Sequence, residues 1–149
     1  MAISSNVQQL EKKKFVESTT TPGQPVVAIS NPDGTPVAST PPSARTNYVS
    51  PSAETSKIIK AEAGNLRGIT MSNPNAAVRF LQVHNSPTTP ADTAVPFMTK
   101  EVSPNTVGFI DFGPEGVTLG SGIYVCSSTT MNTKTITATA EHLFNAQYT

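Results

Sequence analysis

The chain is predicted to be all-β: a single antiparallel β-sandwich preceded by a long extended Pro/Thr-rich amino-terminal arm. Three observations predict this. Seven of the 13 prolines fall in residues 1–56, at positions 22, 25, 32, 36, 41, 42 and 51. From Lys57 onward, short apolar-alternating runs are separated by turn residues at sandwich spacing. No stretch of that second region carries a helix-length pattern.

Residues 1–56 divide into three pieces. Ile3, Val7, Leu10 and Lys14, or Val7, Leu10 and Phe15, fall near helical spacing with Ser4 or Ser5 as the cap, which suits a short helix over 4–17. Its apolar stripe is narrow, and a helix that short is marginal in isolation. Val26–Ile29 and Thr35–Ala38 flank Asn31-Pro32-Asp33-Gly34, a turn signal that predicts a small hairpin over 26–38. The prolines leave the rest extended. Such a segment gains little by folding on itself, so a neighbouring subunit is the expected support. Ile3, Leu10, Phe15, Val26, Ile29 and Tyr48 are its candidate partner-binding anchors. A polyproline-like path from Thr19 to Ser56 would span on the order of 100 Å at about 3.1 Å per residue.

The domain expected over 57–149 opens with Ile58–Ala63 and Leu66–Met71, separated by Gly64-Asn65 in the manner of a hairpin. Asn73-Pro74-Asn75 turns into Val78–Asn85, which is apolar on both faces like an interior strand. Ser86–Ala94 reads as a loop, Val95–Glu101 as a strand, and Ser103-Pro104-Asn105 as a turn. The most legible stretch is Val107–Ser127. It predicts a strand to Phe112, a tight turn at Gly113-Pro114-Glu115-Gly116, and a long strand over 117–127, together a β-hairpin. In that second strand Val117, Leu119, Ser121, Ile123 and Val125 share the expected buried face. Ile136, Ala138, Ala140, His142 and Phe144 alternate as a last long strand.

Composition excludes several classes of function. Charged residues are 13%, half the usual share, and the formal net charge is zero. Residues 1–56 hold four Lys/Arg and four Asp/Glu, and residues 57–149 hold six of each. Neither part has the basic surplus that neutralising phosphates requires, so neither nucleic acid nor an anionic membrane surface is an expected partner. One cysteine, Cys126, leaves no internal disulfide framework, in keeping with folding in a reducing cytoplasm. The start, MAISSNVQQLEKKKF, lacks the apolar run of a secretory signal, and no apolar run approaches the roughly 20 residues of a membrane span.

The candidate chemistry is sparse. His84, His142 and Cys126 fall on expected strands without metal-ligand spacing, and packing is the expected role of each. Asp111 and Glu115 flank the central turn, where carboxylates accept backbone N–H bonds or face water. Gly120-Ser121-Gly122 lacks the third glycine and the following helix of a nucleotide-binding loop, and reads as a bend. Lys57, Lys60, Arg67 and Arg79 are offset by Glu54, Glu62 and Asp92. No catalytic residue, cofactor or metal is expected.

Residues 61–149 carry a further signal. The run Asn75-Ala76-Ala77-Val78-Arg79-Phe80-Leu81-Gln82-Val83-His84-Asn85 is followed by a Pro/Thr loop and Val95-Pro96. Then come Phe109-Ile110-Asp111-Phe112-Gly113, Gly116-Val117 and Gly122-Ile123-Tyr124-Val125, and a small-residue strand to the terminus. This order resembles a module of tailed-bacteriophage virion proteins. The resemblance implies a non-enzymatic, jelly-roll-like β-sandwich on the outer surface of a capsid, made in the host bacterial cytoplasm. Such modules act as decoration or cement proteins, commonly homotrimers bound to the major capsid protein, or as neck, tail or baseplate components. A long arm ahead of the module looks like a device for clamping neighbouring capsid subunits. A carbohydrate-binding sandwich of a host-recognition appendage is the third reading. It wants a platform of exposed aromatics, yet Tyr48, Tyr124 and Tyr148 are the only tyrosines and tryptophan is absent.

Overall fold

The structure is a computed structural model and describes residues 44–149. Nine strands order as β1 (Thr46–Val49), β2 (Ser56–Lys60), β3 (Gly64–Asn73), β4 (Arg79–Asn85), β5 (Met98–Val102), β6 (Thr106–Asp111), β7 (Val117–Leu119), β8 (Ile123–Ser128) and β9 (Phe144–Tyr148). They form two antiparallel sheets. One runs β1-β9-β3-β6, with β7 also on β3, and the other runs β2-β8-β4-β5. No helix occurs among the described residues. The all-β sandwich is therefore as the alternating runs require. The expected helix 4–17, the hairpin 26–38 and the arm as far as residue 43 lie outside the described residues, whereas 44–56, also expected in the arm, belong to the sandwich.

Thirteen buried apolar residues fill the space between the sheets, among them Leu66, Ile69 and Met71 of β3, Leu81 and Val83 of β4, Ile123 and Val125 of β8, and Phe144 of β9. Burying each large side chain is worth roughly 1.5–3 kcal/mol, and nearly all of this core is aliphatic. Leu66 and Ile69 are both fully buried although three residues apart, which strict alternation forbids. A bulge reconciles them. Against β9 the register steps from Leu66↔Tyr148 to Gly68↔Gln147, so Arg67 drops out of the pairing and the phase is restored.

Several expected pairings are replaced by others. Val107–Ser127 is not a hairpin, because β6 and β7 do not pair with each other. Both lie along β3: Asp111 faces Gly68 and Val117 faces Leu66. The turn between them, with Gly113 at φ 74° and Gly116 at φ 73°, is an outward loop in one interrupted edge strand. The long strand expected over 117–127 is likewise broken. β7 belongs to one sheet and β8 to the other, and Gly120-Ser121-Gly122 is the corner between them. Gly64-Asn65 is not a hairpin turn either. It begins β3, whereas β2 lies in the opposite sheet.

At the carboxy end, the expected strand over 136–144 is mostly irregular. Ile136 makes one bridge to Ser128, His142 makes one to Glu54, and regular pairing begins at Phe144. A first strand, β1, also precedes the expected boundary at 57 and pairs with β9 from Thr46↔Tyr148 to Val49↔Asn145. Alternation names the face a residue occupies; it does not name the strand beside it. Only β4 and β5 are sequential neighbours in one sheet through an ordinary loop, and β5 leaves for the other sheet at Ser103-Pro104-Asn105. There Gly108 is required by packing. A Cβ on it would clash with Val102 Cγ2.

Candidate functional site

The outer face of the four-stranded sheet carries the densest group of polar side chains. Period two places Gln82 and His84 of β4 on that face, and the register sets them opposite Cys126 and Tyr124 of β8. Ordinarily such a face is wet. Here Gln82 and Cys126 are fully buried, and His84 and Tyr124 nearly so, and β8 is buried along its whole length. The cover comes from the chain flanking these strands. The Gln82 amide Nε2 donates to the carbonyls of Thr130 (2.8 Å) and Thr133 (3.0 Å). Lys134 exchanges backbone hydrogen bonds with the 86–97 loop, through Thr93 N–H to Lys134 O at 2.9 Å and Lys134 N–H to Ala94 O at 2.8 Å. The two loops are thus pinned to the sheet and to each other.

Within this group Cys126 Sγ lies 3.8 Å from Gln82 Oε1 and 3.9 Å from His84 Nε2. His84 Nε2 is 3.3 Å from Gln82 Oε1, which suits a proton on Nε2. The His84 ring meets Tyr124 edge to face, with centroids 5.8 Å apart. The arrangement superficially matches a thiol–imidazole dyad, but its electrostatics run the opposite way. Burial, and secondarily the Lys134 ammonium, pushes the His84 pKa down to about 4. Burial pushes the Cys126 thiol up to about 12 against the opposing effect of the same ammonium. At neutral pH both groups are uncharged, whereas a nucleophilic cysteine needs its thiolate. The Lys134 ammonium is held by Asp92 at 2.9 Å, with the lysine buried and the aspartate exposed. The cluster is chemically a neutral, hydrogen-bonded lining that fastens two loops.

A second polar group ties the first strand to the sandwich. The Tyr48 hydroxyl donates to both carboxylate oxygens of Glu54, at 2.8 and 2.6 Å, and Ser50 Oγ donates to Oε2 at 3.0 Å. Lys57 Nζ lies 3.5 Å from Glu54 Oε1 and 5.1 Å from the Tyr48 ring centroid. Partial burial, followed by the Glu54 carboxylate, raises the Tyr48 pKa. Tyr48, one of the six expected partner-binding anchors, is thus packed against the core of its own domain. Ile3, Leu10, Phe15, Val26 and Ile29 lie outside the described residues.

The remaining candidates are dispersed. His142 is fully buried at the other sheet, its Nδ1 donating to Ser72 O at 2.9 Å, and burial lowers its pKa. Asp111 accepts the Gly113 N–H at 2.8 Å in the turn, and Glu115 faces solvent. Ser121 N–H donates to Asn85 Oδ1 at 2.8 Å, which fixes the glycine corner. Lys57 and Lys60 lie on β2, Arg67 on β3 and Arg79 on β4, on both sheets rather than in one basic surface. Among the described residues no group of three or more His, Cys, Asp or Glu is placed to hold a metal ion. Sequence reading missed Gln82 and Lys134, which organise the buried cluster. Gln82 stood in an apolar strand between Leu81 and Val83, the one signal that could have marked it. Lys134 carried none.

Comparison of the chain with protein-family models, with curated proteins and with solved structures finds no match.

Proposed function

We propose that the chain is a non-enzymatic structural protein of a tailed-phage virion, acting as a decoration or cement protein on the outer capsid surface. In this reading the sandwich associates as a homotrimer, and residues 1–43 clamp neighbouring copies of the major capsid protein. The observation that carries the reading is the fold of the segment bearing the phage-like motifs. It is a two-sheet antiparallel sandwich, and the Pro/Thr-rich segment joins it at β1, a strand on the rim of its sheet. The uncharged state of the buried Cys126–His84 pair adds support for a non-catalytic role. Several arms on one oligomer would act together, because each tethered arm binds at a high effective concentration. A place in the neck, tail or baseplate, with the arm fixed to a tube or adaptor, is the alternative within the same class.

The test is truncation before Ala44, which spares Tyr48, Ser50 and the β1–β9 pairing. The expected outcome is a folded sandwich that no longer binds preformed capsids, whereas the full chain does. Undiminished binding by the truncated protein would refute the clamp. Labelling at a single vertex of assembled particles, in place of the whole shell, would move the protein to the neck or tail.

A further inference from the structure

The outer face of the five-stranded sheet is built unlike its counterpart: it is open, and it holds a cleft of about 430 Å³. Ligand pockets usually begin near 300 Å³. The register lays out its floor. Gly68 of β3 sits between Asp111 of β6 and Gln147 of β9, and Thr70 sits between Phe109 and Asn145. With no side chain at Gly68, the floor is low there. The Phe109 ring leans across the gap, 3.4 Å from where a Cβ on Gly68 would stand, and the residue remains 54% exposed.

Charge and hydrogen-bonding capacity converge on the same place. Arg45 and Arg67 line the cleft, and neither forms an ion pair among the described residues. Arg67 is the residue the bulge on β3 removes from register, and its Nε is buried without a hydrogen-bond partner. The lining thus counts two arginines against a single carboxylate, that of Asp111, which is steadied by the Gly113 N–H at 2.8 Å. Asn145 and Gln147 add two exposed amides.

We propose that this cleft binds a carboxylated saccharide. Phe109 offers an apolar face for the C–H side of a pyranose ring. Arg45 and Arg67 supply the planar forks that recognise a carboxylate. Asp111, Asn145 and Gln147 supply the acceptors and donors that sugar hydroxyls need. Phe109 is thus the exposed aromatic that the three tyrosines do not provide, since Tyr124 is buried and Tyr48 and Tyr148 pack against the core. A polyphosphate backbone is a poorer match, because a net surplus of one positive charge in the cleft neutralises little. The inference concerns one face of the sandwich and stands apart from the virion reading.

The test is retention of the full chain on a glycan array of uronic- and sialic-acid oligosaccharides and their carboxyl-reduced, neutral counterparts. Titration with an oligogalacturonate follows. Carboxylated glycans should be retained, with affinity at least about tenfold above that for the neutral forms. Arg45→Gln and Phe109→Ala, both at exposed positions, should each weaken binding about tenfold with unchanged circular dichroism. Gly68→Val should abolish it by raising the floor. Should Gly68→Val misfold, the two exposed variants decide the matter alone. Failure to retain any carboxylated glycan, equal binding of the neutral forms, or indifference to both exposed variants would overturn the proposal. Equal binding of a polyglutamate peptide would also overturn it and assign the cleft to acidic peptides.

Discussion

Cys126 Sγ lies 3.9 Å from His84 Nε2, and the two groups are both uncharged at neutral pH. Proximity alone would make them a reactive pair. Burial reverses that, because each charged form loses more hydration than its neighbour returns. The consequence is a structural joint with two measurable signatures.

The first signature is acid sensitivity. In the unfolded chain His84 binds a proton near pH 6.5, but in the folded protein only near 4. Between these values the unfolded state holds more protons, so stability falls as pH falls. The contribution is intact above pH 6.5, lost progressively towards pH 4, and amounts to about 3 kcal/mol at most. Urea titrations at steps from pH 7 to pH 4 should show this decline. His84→Gln should flatten the slope, leaving the smaller part that burial of His142 contributes in the same direction. A parent and variant with parallel profiles would contradict the burial of His84.

The second signature is thiol inertness. Cys126 is fully buried and its thiol is pushed up to about 12. Reaction with a disulfide probe at pH 8 should be at least about a hundredfold slower in buffer than in denaturant. Cys126→Ala should fold, since the sulfur's contacts at 3.8 and 3.9 Å are weak. Fast labelling of the native protein would show that the two covering loops open.

A separate prediction concerns the corner where β5 passes to β6. Gly108→Ala would drive a Cβ into Val102 Cγ2, and Val102 is buried. Overpacking of this kind costs about 1–3 kcal/mol. Gly108→Ala combined with Val102→Ala should be less destabilised than the sum of the single changes, by about 0.5–3 kcal/mol in a double-mutant cycle. Strict additivity would mean that the two positions do not touch.

The amino acids by themselves determined the all-β character of the domain, the location of most strands, and which face of β8 meets the core. Period-two alternation names the core face, as at Ile123 and Val125, although covering loops bury the other face of β8 as well. The bend at Gly120-Ser121-Gly122 was legible because glycine marks places where a side chain would obstruct, as at Gly122, where a Cβ would stand 2.6 Å from Pro87 Cα. What only the tertiary structure decided was pairing. Gly113–Gly116 has the chemistry of a hairpin turn, yet β6 and β7 both lie along β3, and Gly64-Asn65 opens a strand where a hairpin turn was expected. A local turn cannot outweigh the apolar burial gained when the chain crosses between two sheets. The polar joint of Gln82, His84, Cys126 and Lys134 was invisible for a related reason. Its members lie up to 52 positions apart, and they are brought together only because β4 and β8 are neighbours beneath two loops.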